Sequence, residues 1–424
     1  MAPTAADTNW SGNHTYTATA VHRPRSLDEL VALAASAGSL QVLGTRHTFT
    51  SIGDAAELIA LDRLDGADDI VIDRAGMTVS VGPQVTFAAL ADALNAERLA
   101  LANLASLPHI SVVGAVLTAT HGSGDRQGNL ATSVVAMQVV TATGEVREFR
   151  WGDERFEGVV VNLGKLGVVT RVTLAVQAYY EICQEVYEGL EWDEVLAHFD
   201  EVTAAGRSVS VFHRFGDRTR QIWVKYDHNG SSRPSGRPTL LGTPATREPR
   251  NPVPGADPAN CTAQLGAPGS WSDRLPHFRA GFTPSFGEEI QSEFFVARGD
   301  AAPAIAALQP LAARIQPLLM VAEMRTVAGD SLWLSPQYGR ASVGLHFTWH
   351  RRQREVEAVV SAIEQALAPF GARPHWGKLF TAPGAAIEAL YPRLGDFRQL
   401  RDELDPGGVF ANPWLRAHVF APPR

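Results

Sequence analysis

From Ala102 to Gly124 the chain reads ANLASLPHISVVGAVLTATHGSG and carries no Lys, Arg, Asp or Glu. A solvated loop of that length normally shows charge, so the segment points to contact with a ligand rather than with water. Gly114, Gly122 and Gly124 stand among Ser106, Ser111, Thr118, Thr120, His121 and Ser123. Small side chains and hydroxyls let the backbone come close to a flat, polar molecule.

A second stretch complements it. In SLQVLGTRHTFTSIG (Ser39–Gly53), Leu40, Val42 and Leu43 end an apolar run short enough for a buried strand. The chain then passes through Gly44 into the polar turn Thr45-Arg46-His47-Thr48. Such a turn can aim successive backbone N–H groups at a phosphate. Gly44 supplies φ freedom, Arg46 a positive charge, and Thr45 and Thr48 hydroxyls, which suits a cofactor pyrophosphate. His47, taken alone, is most simply an ordinary loop histidine.

At 424 residues the chain is long for one core, so two domains are expected. A net charge of −8 argues against a nucleic-acid surface, and no Lys/Arg run suggests a membrane patch. The expected partner is a small molecule. Cys183 and Cys261 cannot make a disulfide framework or a tetrahedral metal site, so they are read as inert buried thiols and no metal is expected. The N-terminus lacks a signal-peptide pattern and no apolar run approaches membrane-spanning length, so a cytoplasmic protein is expected.

Along the chain, Tyr16–Val21 reads as a short strand, and Ser26-Leu27-Asp28-Glu29 as a capping box before a helix. Ile70–Ile72 and Met77–Val81 read as one hairpin, and Val134–Val140 with Glu145–Phe149 as another. Phe87–Leu99 and Asp153–Val161 read as helices and Val168–Val176 as a strand. Gly122, Gly124 and Gly128 miss the G-x-G-x-x-G spacing by one, so a nicotinamide Rossmann site is not expected. Composition shifts near Tyr179–Tyr180. Beyond it, Trp192–Phe199 reads as a helix, and Ser208–His213 and Arg220–Tyr226 as strands. Arg233–Asn260 holds seven prolines and predicts a long irregular loop. Strands follow at Ile290–Val296, Met320–Val327 and Val343–Trp349. Helices follow at Ala301–Ile315, kinked at Pro310, and at Gln353–Leu367. This order predicts an antiparallel sheet covered by helices on one face.

Period-two alternation puts Glu323 with Arg325 on one face, His346 with Thr348, and Gln291 with Glu293. Trp376, Lys378 and Phe380 share a face if WGKLF is extended. The sheet face not used for core can therefore wall a polar site, although each of these residues taken singly could be solvated.

The His47 turn, ASLPHIS, THGSG, GKLGVVT (Gly164–Thr170) and DPGGVFANPW (Asp405–Trp414) together resemble the vanillyl-alcohol-oxidase superfamily of flavoproteins. Within it the chain is similar to the bacterial alditol oxidases over essentially its full length. The family turn commonly reads Gly-Ser-Gly-His-Ser, where this chain has Gly-Thr-Arg-His-Thr. The resemblance implies an α+β, two-domain FAD-binding fold with an antiparallel-sheet substrate domain. Its expected bounds are 1–178 for the FAD-binding part, 179–378 for the substrate domain and 379–424 for a segment returning to the first.

It implies FAD held covalently through His47, with Gly44, Thr45, Arg46, Thr48, Ser106, Ser111, Gly114, Thr118, His121, Gly122, Ser123 and Val169 around it. It implies a substrate pocket of Ser106, Gln291, Glu323, Arg325, His346, Thr348 and Lys378, with Glu293 left as a structural residue. The implied reaction is oxidation of a terminal hydroxyl of xylitol, sorbitol or a related polyol by a monomeric enzyme, with dioxygen reduced to hydrogen peroxide. Arg325, oriented by Glu323, would stabilise the alkoxide. Lys378 would sit beside the flavin, and either His346 or Lys378 would be the base. An aldonolactone oxidase or dehydrogenase is the alternative, and a flavin- or sugar-binding protein without turnover is the rival of another class.

Overall fold

The computed structural model describes residues 8–228, 239–279, 281 and 288–420. Local sequence sets most of its elements. Ser26 caps the helix Leu27–Ser36 by accepting from Glu29 N, and the Glu29 carboxylate accepts from Arg25 N at 2.7 Å. The strand expected from Tyr16 is shorter, Ala20–His22, because Thr17 N and Oγ1 instead bond the Asp54 carboxylate. That strand, Glu57–Ile59 and Leu40–Val42 make a small parallel sheet, which delivers the chain into the turn at Gly44.

A five-stranded antiparallel sheet follows, in the order Ile70–Asp73, Thr78–Val81, Val168–Ala175, Val134–Val140, Val146–Arg150. The helix Phe87–Ala96 buries Phe87, Leu90, Ala91 and Leu94, the stripe its periodicity predicts. The C-terminal segment closes on this region. Leu40 N bonds Val409 O at 2.9 Å, and Asn412 Nδ2 bonds the carbonyls of Ser51 and Asp54 at 2.8 Å.

The second sheet has eight antiparallel strands, in the order Gly269–Ser270, Glu181–Glu188, Gln221–Asp227, Ser208–His213, Leu319–Val327, Ser342–His350, Glu289–Ala297, Arg373–Pro374. The helices Ala301–Leu308 and Gln353–Leu367 pack together and against Glu289–Ala297. The longer one buries Val356, Val359, Val360, Ile363 and Leu367, as expected. One sheet face is thus committed to apolar core and the other is released from it.

Several expectations change. The helix expected over Trp192–Phe199 breaks at His198 and resumes as Phe199–Thr203. Pro310 splits Ala301–Ile315 into two helices with a 3-10 turn between them. Arg233, Pro234 and Pro238 lie outside the described residues. The rest of that proline-dense stretch is less irregular than its composition predicts, because prolines tolerate edge and turn positions: Thr239–Leu240 pairs with Thr243–Pro244, and Pro258 opens a 3-10 turn. WGKLF is not extended. Residues 376–377 form a turn in which Trp376 Nε1 bonds Leu334 O at 2.6 Å, so Trp376 faces the core while Lys378 turns away from it.

Candidate active site

A continuous cavity runs from the Gly44–Thr48 turn to the polar face of the eight-stranded sheet. At its first end, Arg46 adopts φ +62°, the left-handed conformation that a glycine at this place in the turn would take without strain. Thr45 Oγ1 meets Ser111 N at 3.5 Å, which joins the turn to the charge-free stretch. Ser111 caps the short helix Val112–Leu117 through Gly114 N, and a Cβ on Gly114 would lie 2.8 Å from Ser111 Oγ. Thr118 and Val169 also line this end.

Ser106 lines the cavity farther along, within 3.3 Å of Arg325 Nη1. Gly122 and Ser123 stand apart from the cavity. A Cβ on Gly122 would collide with Leu104 O at 2.3 Å, and Ser123 Oγ bonds Val209 O, so both serve close packing behind the wall.

His47 faces an unforeseen partner. Its Nε2 lies 2.9 Å from Nε2 of His109, and Trp10 stacks on its ring at 5.0 Å. Burial, then the neighbouring His109, pushes His47 down to about 3, so the ring is neutral. Its Nδ1 is buried without a hydrogen-bond partner of good geometry.

At the other end, strand register sets the chemistry. Glu323 pairs with His346, and His346 pairs with Glu293 on the next strand. Gln291 and Thr348 are opposite one another, and Arg325 is opposite Gly344. A Cβ on Gly344 would sit 2.8 Å from Glu293 Oε1, so glycine leaves the room for Arg325 to reach across to that carboxylate at 3.1 Å. Glu293 is the hub: Lys378 Nζ lies 2.6 Å from Oε2 and His121 Nε2 3.1 Å from Oε1. Burial alone would raise its pKa, but Lys378, His121 and Arg325 outweigh that and hold it well below the usual carboxylate range. Sequence reasoning left Glu293 structural. Its even spacing from Gln291 on one strand face was the available signal.

Glu323 is likewise held ionised against burial, first by Arg325 and then by His277, whose Nε2 lies 2.9 Å from Oε1. Arg325 therefore has two buried carboxylate neighbours, Glu323 at 3.5 Å and Glu293 at 3.1 Å. His346 Nδ1 lies 2.7 Å from Lys378 Nζ, which can only donate, and Nε2 lies 3.1 Å from Thr348 Oγ1. Its Nδ1 lone pair is thus occupied. Burial, then Lys378, pushes the ring down to about 4.

Glu289, Lys165, His277 and His375 also line the cavity; Lys165 falls in the GKLGVVT segment, and nothing in local sequence marks the other three. His121, Glu293 and His375 bring ligand atoms within 4.8 Å of one another. Glu293 already balances Arg325 and Lys378, so the charge there is spent and a metal ion is disfavoured.

Residues 18–150 match the FAD binding domain family, and residues 289–418 match the D-arabinono-1,4-lactone oxidase family. An alditol oxidase of a Streptomyces species is 44% identical over 97% of this chain and 98% of its own. The L-gulono-1,4-lactone dehydrogenase of Mycobacterium tuberculosis is 26% identical over 96% of this chain and 97% of its own. The crystal structure of cholesterol oxidase from B. sterolicum superimposes with a TM-score of 0.77, at 17% identity, over 97% of this chain and 96% of its own. That last likeness concerns the fold. Among the described residues, no helix is long and apolar enough to cross a membrane.

Proposed function

The chain belongs to the alditol oxidase family of FAD-dependent oxidoreductases, and from that premise we propose that its cavity oxidises the terminal primary hydroxyl of a small polyol, xylitol or sorbitol among them, to the aldehyde. The observation that carries this reading is one cavity with a polar turn at one end and two carboxylate-held cations, Arg325 buried and Lys378 largely so, at the other. Three features fit FAD: the left-handed turn at Arg46, a glycine at position 114 in the cavity wall, and His47 Nδ1, buried without a hydrogen-bond partner of good geometry. Gly44, Thr45, Arg46 and Thr48 would hold its phosphates, and His47 would hold it covalently. When bound, FAD supplies the hydride acceptor and passes the electrons to dioxygen, with hydrogen peroxide as product.

The chain's own residues bind and polarise the alcohol. Arg325, fixed by Glu323 and Glu293, stabilises negative charge on the substrate oxygen, and Lys378 adds a second cation. Gln291, Thr348 and Ser106 offer the fixed donors and acceptors that a row of hydroxyls requires. His346 orients Thr348 and accepts from Lys378, so it is a poor base. The family-based division at 178 and 378, a monomeric state and a cytoplasmic location belong to the same reading. The last is supported by two buried cysteines that are not bridged.

The match of residues 289–418 to the lactone oxidase family favours one second reading, oxidation of an aldonolactone. Peroxide release with xylitol, sorbitol and glycerol, set against L-gulono-1,4-lactone, decides between them. Turnover of the lactone alone overturns the polyol reading.

A further inference from the structure

Behind the polar wall lies a buried cation that this mechanism does not use. Lys225, on the strand Gln221–Asp227, is 1% exposed. Its Nζ bonds the carbonyls of Leu275 and Pro276 and lies 3.1 Å from His277 Nδ1. Three acceptors match the three protons of an ammonium. With Nδ1 accepting, the His277 proton is on Nε2, which faces Glu323 Oε1 at 2.9 Å and Ser210 Oγ at 3.3 Å. Hydrogen bonds therefore run in one direction, from Lys225 through His277 to a carboxylate on the cavity wall, and His277 itself lines the cavity.

The same chain works in reverse. A neutral Lys225 accepts from Nδ1–H, which leaves Nε2 able to take a proton from the Glu323 side. Phe212 and Trp223 stand edge-on to the imidazole at 5.4 and 5.3 Å, and His277 is 4% exposed.

We propose that Glu323, His277 and Lys225 form a buried relay that takes up the proton of the substrate hydroxyl and holds it until the cofactor is reoxidised. This rests on the alcohol-oxidation reading above. In the reductive half, the carbinol C–H bond breaks and its electron pair goes with the hydrogen to the cofactor. The O–H pair stays on oxygen to make the C=O bond, and the proton passes through Glu323 and His277 to Lys225 Nζ. In the oxidative half, dioxygen takes both electrons and needs two protons to become hydrogen peroxide. One is the hydrogen carried by the cofactor, and the relay returns the other.

The charges facing the chain permit this exchange. Arg325 adjoins Glu323 on the same strand, His346 lies opposite it, and Cys261 adjoins Lys225. Burial pushes the Lys225 ammonium down to about 7 and the Cys261 thiol up to about 12, so the lysine exchanges a proton near neutrality while the thiol keeps its own. Burial, then Lys225, holds His277 down at about 4, so it passes a proton without keeping it.

The test is anaerobic reduction of the holoenzyme by xylitol, from below to above neutral pH, in weak buffer with a pH-indicator dye. Wild type should reduce faster as pH rises through a transition near neutrality, and above it should release no proton with the reduction. His277→Gln keeps an acceptor and a donor, but an amide cannot pass a proton. It and Lys225→Met should lose the transition, reduce at least about tenfold more slowly, and release the proton to the dye. Above that transition, prompt release of one proton per cofactor reduced in wild type overturns the relay, with no variant needed. So does a His277→Gln enzyme that keeps the wild-type rate and transition. A wild type that xylitol, sorbitol and glycerol all fail to reduce overturns the polyol reading and the relay together, whereas reduction with prompt proton release above the transition overturns the relay alone.

Discussion

The Lys378 ammonium lies 2.6 Å from Oε2 of Glu293, across 85 positions of sequence, while Arg325 reaches Oε1 of the same carboxylate at 3.1 Å. One fully buried anion thus holds both cations of the cavity wall and sets their spacing. Without it, two desolvated positive charges would face each other in a medium that screens them poorly.

Glu293→Gln is expected to destabilise the protein by about 3–5 kcal/mol, the cost of leaving buried charge uncompensated. Urea titration measures it. The same variant should reduce with xylitol at least about a hundredfold more slowly, because Arg325 and Lys378 lose their common anchor. A carboxamide that leaves both stability and rate unchanged would remove Glu293 from the centre of the site.

Gly344→Ala tests the space rather than the charge. The added methyl would lie 2.8 Å from Glu293 Oε1 and 3.0 Å from Phe295, inside ordinary contact distance. The expected cost is about 1–3 kcal/mol of stability, with a larger fall in the reduction rate than in flavin binding. Equal losses in both would mean that the strand moves as a whole and that Arg325 is not singled out.

His47→Ala should leave the flavin extractable. Acid-precipitated wild type is expected to remain yellow, and the variant's pellet to be colourless with the chromophore in the supernatant. A wild-type pellet without colour would refute the covalent attachment while leaving FAD binding intact.

Acid should unfold the protein early. His213, His277 and His346 are buried and neutral, pushed down to about 3, 4 and 4 by burial. Between those values and the unfolded histidine value near 6.5, the unfolded chain binds more protons than the folded one, so stability falls as pH drops through that window. Each such group contributes about 1.4 kcal/mol per pH unit. His213 packs against Trp192 and Phe215 and is not among the cavity-lining residues, so His213→Phe should make the fall in Tm below neutrality shallower. An unchanged slope would show that His213 is not among the groups responsible.

Local pattern determined most of the elements. The stripe of Gln353–Leu367, the two hairpins and the cap at Ser26 depend on neighbours within a few residues, and periodicity reports these directly. Alternation also placed Glu323 with Arg325, and His346 with Thr348, because a strand has only two faces. The uncharged run from Ala102 and the turn at His47 marked a wall of the cavity for a similar reason: their composition is wrong for water.

What tertiary structure alone decided is which faces meet. Glu293 became the hub because strand register sets it beside His346 while the turn at 376–377 swings Lys378 toward it. His277 and Lys225 met because a loop folds back onto a strand 52 residues away. His109 came to His47 by a closure of 62 residues. Such encounters depend on packing between segments that share no local pattern, so the sequence supplies the groups and only the folded chain sets their distances.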